Sequence, residues 1–194
     1  PFKEMEKKMR LPDIKTEELS VEQSGLLEAM QSGPRKGGIG DNPLGGPFGV
    51  WVRTPVLGQA IQSLGSTIRF KTSLPSDIRE IVICTVGTFY QSEFEVAVHK
   101  DIAIKAGVSV QALERLCSGL DPKFSGAQKI AHQLTTEMLK QHRISQSTFE
   151  TALISLTTEK IMELVATVGY YCLVSHTLNA FEIPLNEDMV SPFR

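Results

Sequence analysis

Between Pro75 and Gly107 the chain carries two successive apolar patterns that only helices satisfy, and both contain acids that a helix would turn inward. Ile78, Ile81, Val82, Thr85, Val86 and Phe89 recur at spacings of three and four, so a helix opening at Pro75 gathers them on one face. Ser92 begins a second helix and Gly107 ends it. Glu80 lies within the first apolar stripe, where a carboxylate is costly to bury unless it is paired or functional. Glu95 and His99, four residues apart, share a face of the second helix, where a carboxylate can orient an imidazole and tune its proton affinity. A hairpin of the two helices would set Glu80 in or beside an apolar layer and raise its pKa. Arg79 is expected to offer Glu80 only a surface pair, because adjacent residues point to different sides of a helix. Glu93 reads as a solvated acid favoured by the helix dipole, in reserve for Glu95.

The rest of the chain reads as helical too, and no run of alternating strand pattern appears. Ser20 and Gln23 form a capping box ahead of Leu26, Leu27 and Met30. A helix from Pro55 presents Leu57, Ala60, Ile61, Leu64 and Ile68 as one stripe. Shorter helices follow Ser109, ended by Gly119, and Ser145. A longer one over 127–142 carries Ile130, Leu134 and Met138 in register. An apolar closing helix runs from Thr158 to about Phe181. It faintly echoes the Glu80 helix, IREIVICTVGTFY against IMELVATVGYY, and Gly87 and Gly169 would let the two approach closely. Residues 32–49 hold seven of the fifteen glycines and three prolines, a long irregular loop of the kind that is usually functional. With 194 residues and 41% hydrophobic content, the expectation is a single all-α domain, 1–54 forming an N-terminal extension and loop and 55–184 the helical core.

A formal net charge of −2 gives no general attraction to nucleic acid or to anionic membrane, and neither partner is expected. Three widely spaced cysteines make no disulfide framework and suit a reducing compartment, so the expected location is cytoplasmic. The strongest membrane candidate, 161–178, is interrupted by Glu163 and His176 and falls short of the roughly 20 apolar residues a span needs. The N-terminal PFKEMEKKMR lacks the apolar core of a secretory signal.

The segment LPSDIREIVICTVGTFYQSEFEVAVHKDIAIKAGVS resembles the core signature of the carboxymuconolactone decarboxylase and alkylhydroperoxidase D-like superfamily. The resemblance extends upstream through RLPDI, GPFGVWVRTP and LGSTIRFKTSLP, and downstream through TTEKIMELVATVGYYCLVSHTLNAFEIP. It implies an alkylhydroperoxidase D-like helical bundle and self-association as a dimer, trimer or hexamer. In thiol peroxidases of this type a glutamate, a Cys-x-x-Cys pair and a histidine follow in order. Here the glutamate matches Glu80 and the histidine His99, while Ser92 and Glu95 occupy the cysteine positions. Peroxide reduction by the thiol route needs a low-pKa cysteine and a resolving partner. Cys84, Cys117 and Cys172 lie apart in apolar patterns and read as buried and inert. The resemblance therefore implies the decarboxylase-like branch, with no cofactor and no metal.

Each site residue has a plainer reading beside the functional one. Ser92-x-x-Glu95 is also a capping-box pattern, and His99 is also a buried histidine satisfied by Glu95. A metal held by Glu80, Glu95 and His99 is weaker, because di-iron helices use Glu-x-x-His twice. PRKGGIGDNPLGGPFG invites a phosphate-loop reading through Arg35 and Lys36 but lacks the Gly-Lys-Ser/Thr ending, so a lid or substrate-side loop is preferred. The expectation is a cofactor-independent acid/base enzyme acting on a small lactone, keto acid or polyketide-like carbonyl compound by decarboxylation, isomerisation or lactone opening. His99 is the proton carrier, Glu95 its orienting group and Glu80 a second acid/base. Tyr90, Ser92, Trp51, Arg53 and Tyr170 are the expected substrate contacts, with Phe48 beside them and Tyr171 and His176 as further candidates. The competing readings are a non-catalytic oligomeric helical protein and residual peroxidase activity.

Overall fold

The computed structural model describes residues 9–32 and 42–193. Among them are nine α-helices and no strand: α1 (Val21–Gln31), α2 (Phe48–Trp51), α3 (Pro55–Phe70), α4 (Ser76–Phe89), α5 (Glu93–Lys105), α6 (Val110–Cys117), α7 (Gly126–Gln141), α8 (Gln146–Ser155) and α9 (Thr158–Ala180). Their starts follow local chemistry. The Ser20 hydroxyl accepts from the Gln23 amide while the Gln23 side chain accepts from the Ser20 amide, a complete capping box. Ser109, Ser145 and Thr157 cap α6, α8 and α9 in the same way through their hydroxyls.

α4 is the centre of the molecule and is buried on nearly every side, from Ile78 through Gly87. It packs against α5, α7 and α9, so the two helices that echo one another do share one core. Their close approach is not built as their glycines imply. Gly87 faces α5, where an added Cβ would meet Val96 at 2.6 Å, and Gly169 is open to space. α9 is long and apolar enough by composition to cross a membrane, the one such helix among the described residues, and half of its most apolar window is buried within the molecule. The phosphate-loop residues Arg35 and Lys36 lie outside the described residues.

The stripe expected on α3 is displaced. Leu57, Ala60 and Leu64 are exposed, and the buried face is Gly58, Ile61, Gln62, Gly65 and Ile68. The cause is close contact: a Cβ on Gly58 would lie 2.4 Å from the Trp51 carbonyl oxygen and 2.7 Å from Leu26. In this position the hydrogen side chain brings α3 against α1 and α2. Alanine would gain about 1 kcal/mol of helix propensity there, but a backbone oxygen cannot swing aside and overpacking costs about 1–3 kcal/mol. Gly58→Ala is therefore expected to lower stability by about 1–2 kcal/mol in urea unfolding; a rise in the midpoint would show that the α2–α3 junction yields.

Candidate active site

The α4–α5 turn is closed by backbone bonds and by the Gln91 side-chain amide, which donates to Thr88 O at 2.8 Å. The Ser92 amide donates to Gly87 O, with Gln91 at positive φ between them. Ser92 is fully buried at the N-cap, but its hydroxyl makes no capping bond and has no partner. The capping-box reading is thus not realised, and Glu95 is turned into the molecule instead.

Glu80, Glu95 and His99 come together in the hairpin, at 0%, 4% and 4% exposure. His99 Nδ1 is 2.6 Å from Glu80 Oε2, a short charge-assisted hydrogen bond. His99 Nε2 is 3.1 Å from Glu95 Oε1, close enough for an ion pair but outside hydrogen-bond alignment. The orienting contact at Nδ1 therefore comes from Glu80, and Glu95 stands at the other ring nitrogen. The fourth member is Arg79, whose Nε donates to Glu80 Oε1 at 3.2 Å with its side chain only 15% exposed. That corrects the surface-pair expectation: the long arginine stem folds back along α4 and delivers its head to the adjacent carboxylate. Tyr171 of α9 meets the imidazole edge-on, with ring centroids 5.2 Å apart.

Electrostatics follow from this packing. Burial pushes the His99 imidazolium toward deprotonation, but the charges of Glu80 and Glu95 outweigh it and carry its pKa up to about 9. For Glu80, burial pushes upward, and His99, Arg69 and Arg79 together hold the carboxyl below its ordinary value. At neutral pH the site therefore holds an imidazolium between carboxylates. Among the described residues, no three His, Cys, Asp or Glu side chains are arranged to hold a metal ion.

The site opens on a cleft of about 970 Å³, walled by Glu95 and His99, by Trp51, Phe48, Arg69 and Phe70, by Tyr170 and Tyr171, and by the irregular C-terminal stretch 188–192. Of the expected substrate contacts, Trp51 and Tyr170 line it. Arg53, Tyr90 and Ser92 do not. Arg53 donates to Gly49 O and Pro12 O, tying α2 to the N-terminal segment. Tyr90 packs edge-on against His176, and its carbonyl accepts from Asn179. Ser92 is sealed beneath the turn. His176 is outside the wall as well, and Glu93, the reserve acid, accepts from Ser191 of the C-terminal stretch. Arg69 was missed because the wrong face of α3 was taken as buried; Gly65 and Arg69 are four apart on the true one.

The thiols are poorly placed for redox work. Burial pushes Cys84 well up, aided by the charge of Glu80, and also raises Cys117 and Cys172.

This architecture is the alkylhydroperoxidase D-like fold. A peroxidase-related protein from Silicibacter sp. TM1040 matches with TM-score 0.75 and 15% identity over 100% of both chains. An alkylhydroperoxidase AhpD core protein from Ralstonia eutropha JMP134 matches with TM-score 0.74 and 15% identity over 95% of this chain and 94% of that one. The debrominase Bmp8 matches with TM-score 0.69 and 13% identity over 87% and 90%. No family model and no curated protein sequence matches the chain.

The Glu80–His99 pair makes stability depend on pH in a defined direction. The raised His99 pKa contributes stability that is complete below 6.5, its unfolded value, and lost as pH rises through about 9. The depressed Glu80 pKa contributes stability that is present above 4.5 and lost as pH falls through its folded value. The stability difference between wild type and His99→Gln, read by urea unfolding, is thus expected to be largest between pH 4.5 and 6.5 and to shrink by pH 9.5. A difference that does not change with pH would mean that folding leaves the His99 pKa where it is in the unfolded chain, and one that grows as pH rises would mean that His99 is neutral in the folded protein.

Proposed function

We propose that this protein is a cofactor-independent acid/base enzyme acting on a small lactone, keto acid or related carbonyl compound. The observation that carries the reading is a buried imidazole held between two carboxylates at the floor of a cleft. Burial of three ionised groups costs several kcal/mol each before pairing, and a core needing only cohesion is served as well by apolar side chains. An imidazole and a carboxylate with displaced pKa values, His99 and Glu80, set beside a cleft are the ordinary materials of proton transfer. A debrominase that shares the fold has been solved in complex with 2,3,4-tribromopyrrole, which supports a small ring compound as the ligand of such a cleft.

In this mechanism Glu80 fixes the imidazole through Nδ1 and keeps it charged. His99 presents Nε2–H toward the cleft and gives a proton to the oxygen or carbon that gains electron density. Glu95, on the same side, takes the proton that leaves the substrate. If CO2 departs beside a carbonyl, the remaining enolate is held by the imidazolium and reprotonated at carbon. Isomerisation and lactone opening use the same two groups, with the carbonyl oxygen polarised by His99. Self-association belongs to this reading too, supported by the large apolar side chains left exposed on α3 and α9, Leu57, Leu64 and Met162.

Mass-spectrometric assay of 4-carboxymuconolactone with a panel of β-keto acids and lactones tests the proposal. Turnover by wild type is expected, with a loss of roughly 10²–10⁴-fold in His99→Gln while the variant stays folded. A variant that unfolds without any wild-type turnover would instead mark the cluster as a structural device.

A further inference from the structure

Two residues that line the cleft each carry a buried N–H donor with nothing to bond. Arg69 Nε and Trp51 Nε1 are shut off from solvent and have no hydrogen-bond partner, although both residues line the cleft. Trp51 is 4% exposed. Buried donors are almost always satisfied, so two orphans beside one cleft point to an acceptor that arrives with the ligand.

The charges around them agree. Both oxygens of Glu80 are taken, one by His99 and the other by Arg79, which leaves Arg69 no carboxylate of its own. Its guanidinium instead lies 5.2 Å from the Phe70 ring centroid. Glu80 and Glu95 supply two negative charges against three cations, His99, Arg79 and Arg69, and elsewhere on the cleft wall Lys100 and Lys105 are matched by Asp101 and Asp188, so one positive charge stands in excess at the cleft. A monoanion balances it. The aromatic walls, Phe48, Phe70 and Tyr170, suit a flat apolar body on the same molecule.

We propose that Arg69 and Trp51 form an anion-binding wall, and that the substrate is a small monocarboxylate whose oxygens accept from Arg69 Nε and Trp51 Nε1. This deepens the acid/base reading and rests on it for the position of the reacting end, which faces His99 and Glu95. It also narrows the chemistry. A carboxylate that leaves as CO2 must send its charge away into a neighbouring carbonyl, and a guanidinium bound to it would stabilise the reactant and slow the step. The carboxylate on Arg69 is therefore one that the substrate keeps, and for a monocarboxylate this leaves isomerisation or lactone opening, not loss of CO2, as the reaction.

Trp51 is the only tryptophan in the chain, so its fluorescence reports on this wall. Titration of wild type and Arg69→Gln with benzoate, and with benzamide as the neutral isostere, tests the proposal. The expected result is saturable benzoate binding to wild type, weaker by about tenfold or more in Arg69→Gln, and much weaker benzamide binding to both. Arg69→Lys is expected to recover part of the loss, since charge returns without the Nε donor. Equal benzoate binding by wild type and folded Arg69→Gln would overturn the proposal, as would benzamide binding as tightly as benzoate or no saturable binding of benzoate. Should Arg69→Gln not fold, the benzoate–benzamide contrast in wild type decides. The binding needs no turnover. Turnover without carboxylate binding therefore removes only the anion wall, and Arg69-dependent binding without turnover removes only the acid/base reading.

Discussion

A carboxylate with no exposed surface at the centre of a helical core sets the terms for everything around it. Glu80 has lost its water, at a cost of several kcal/mol, and the surroundings must return that in directed contacts. They do so with Arg79 from its own helix and His99 from the next, one donor for each oxygen. The second contact requires α5 to lie close against α4. Gly87 provides that, two helical turns along the same face from Glu80, where a side chain would strike Val96. The glycine and the glutamate are thus parts of one device: the first sets the distance between helices, and the second uses it.

The consequence for His99 is a change of starting state. An isolated buried histidine would be neutral, and one placed between two acids is charged. The imidazole therefore begins the proposed cycle as an acid, and the task of accepting a proton falls to Glu95, whose Oε1 is near Nε2 yet not aligned on it. A loosely held carboxylate is the more available of the two, because both oxygens of Glu80 are engaged, one by His99 at 2.6 Å and the other by Arg79 at 3.2 Å.

The Glu80, Glu95 and His99 site was legible in the sequence, because a lone acid in an apolar stripe and a Glu/His pair at helical spacing are signals carried by adjacent turns. Helix starts were legible for the same reason: Ser20, Ser109 and Ser145 act on their own first turns. What was hidden depends on contacts between distant segments. The buried face of α3 is set by Gly58, which meets a backbone oxygen from α2, and a search for large apolar residues passes over it. Arg53 is held by Pro12, far away in the chain, and Tyr90 by Asn179 and His176, so neither reaches the cleft. The stretch 188–192 has no periodicity to announce that it walls a site.

In the resemblance drawn from the sequence, Ser92 and Glu95 stand where a thiol peroxidase has its two cysteines. Ser92 is sealed under the α4–α5 turn with no partner, a site where a reactive group would be out of a ligand's reach. Glu95 keeps its access to the cleft but exchanges sulfur for oxygen. A thiolate beside an imidazolium can attack peroxide and give up electrons; a carboxylate in that place can only receive or return a proton. The same imidazolium serves either partner, since its charge stabilises whichever anion lies next to Nε2. On the proposed acid/base reading, the hairpin keeps its electrostatics while its chemistry passes from electron transfer to proton transfer, with the residue at position 95 making that choice.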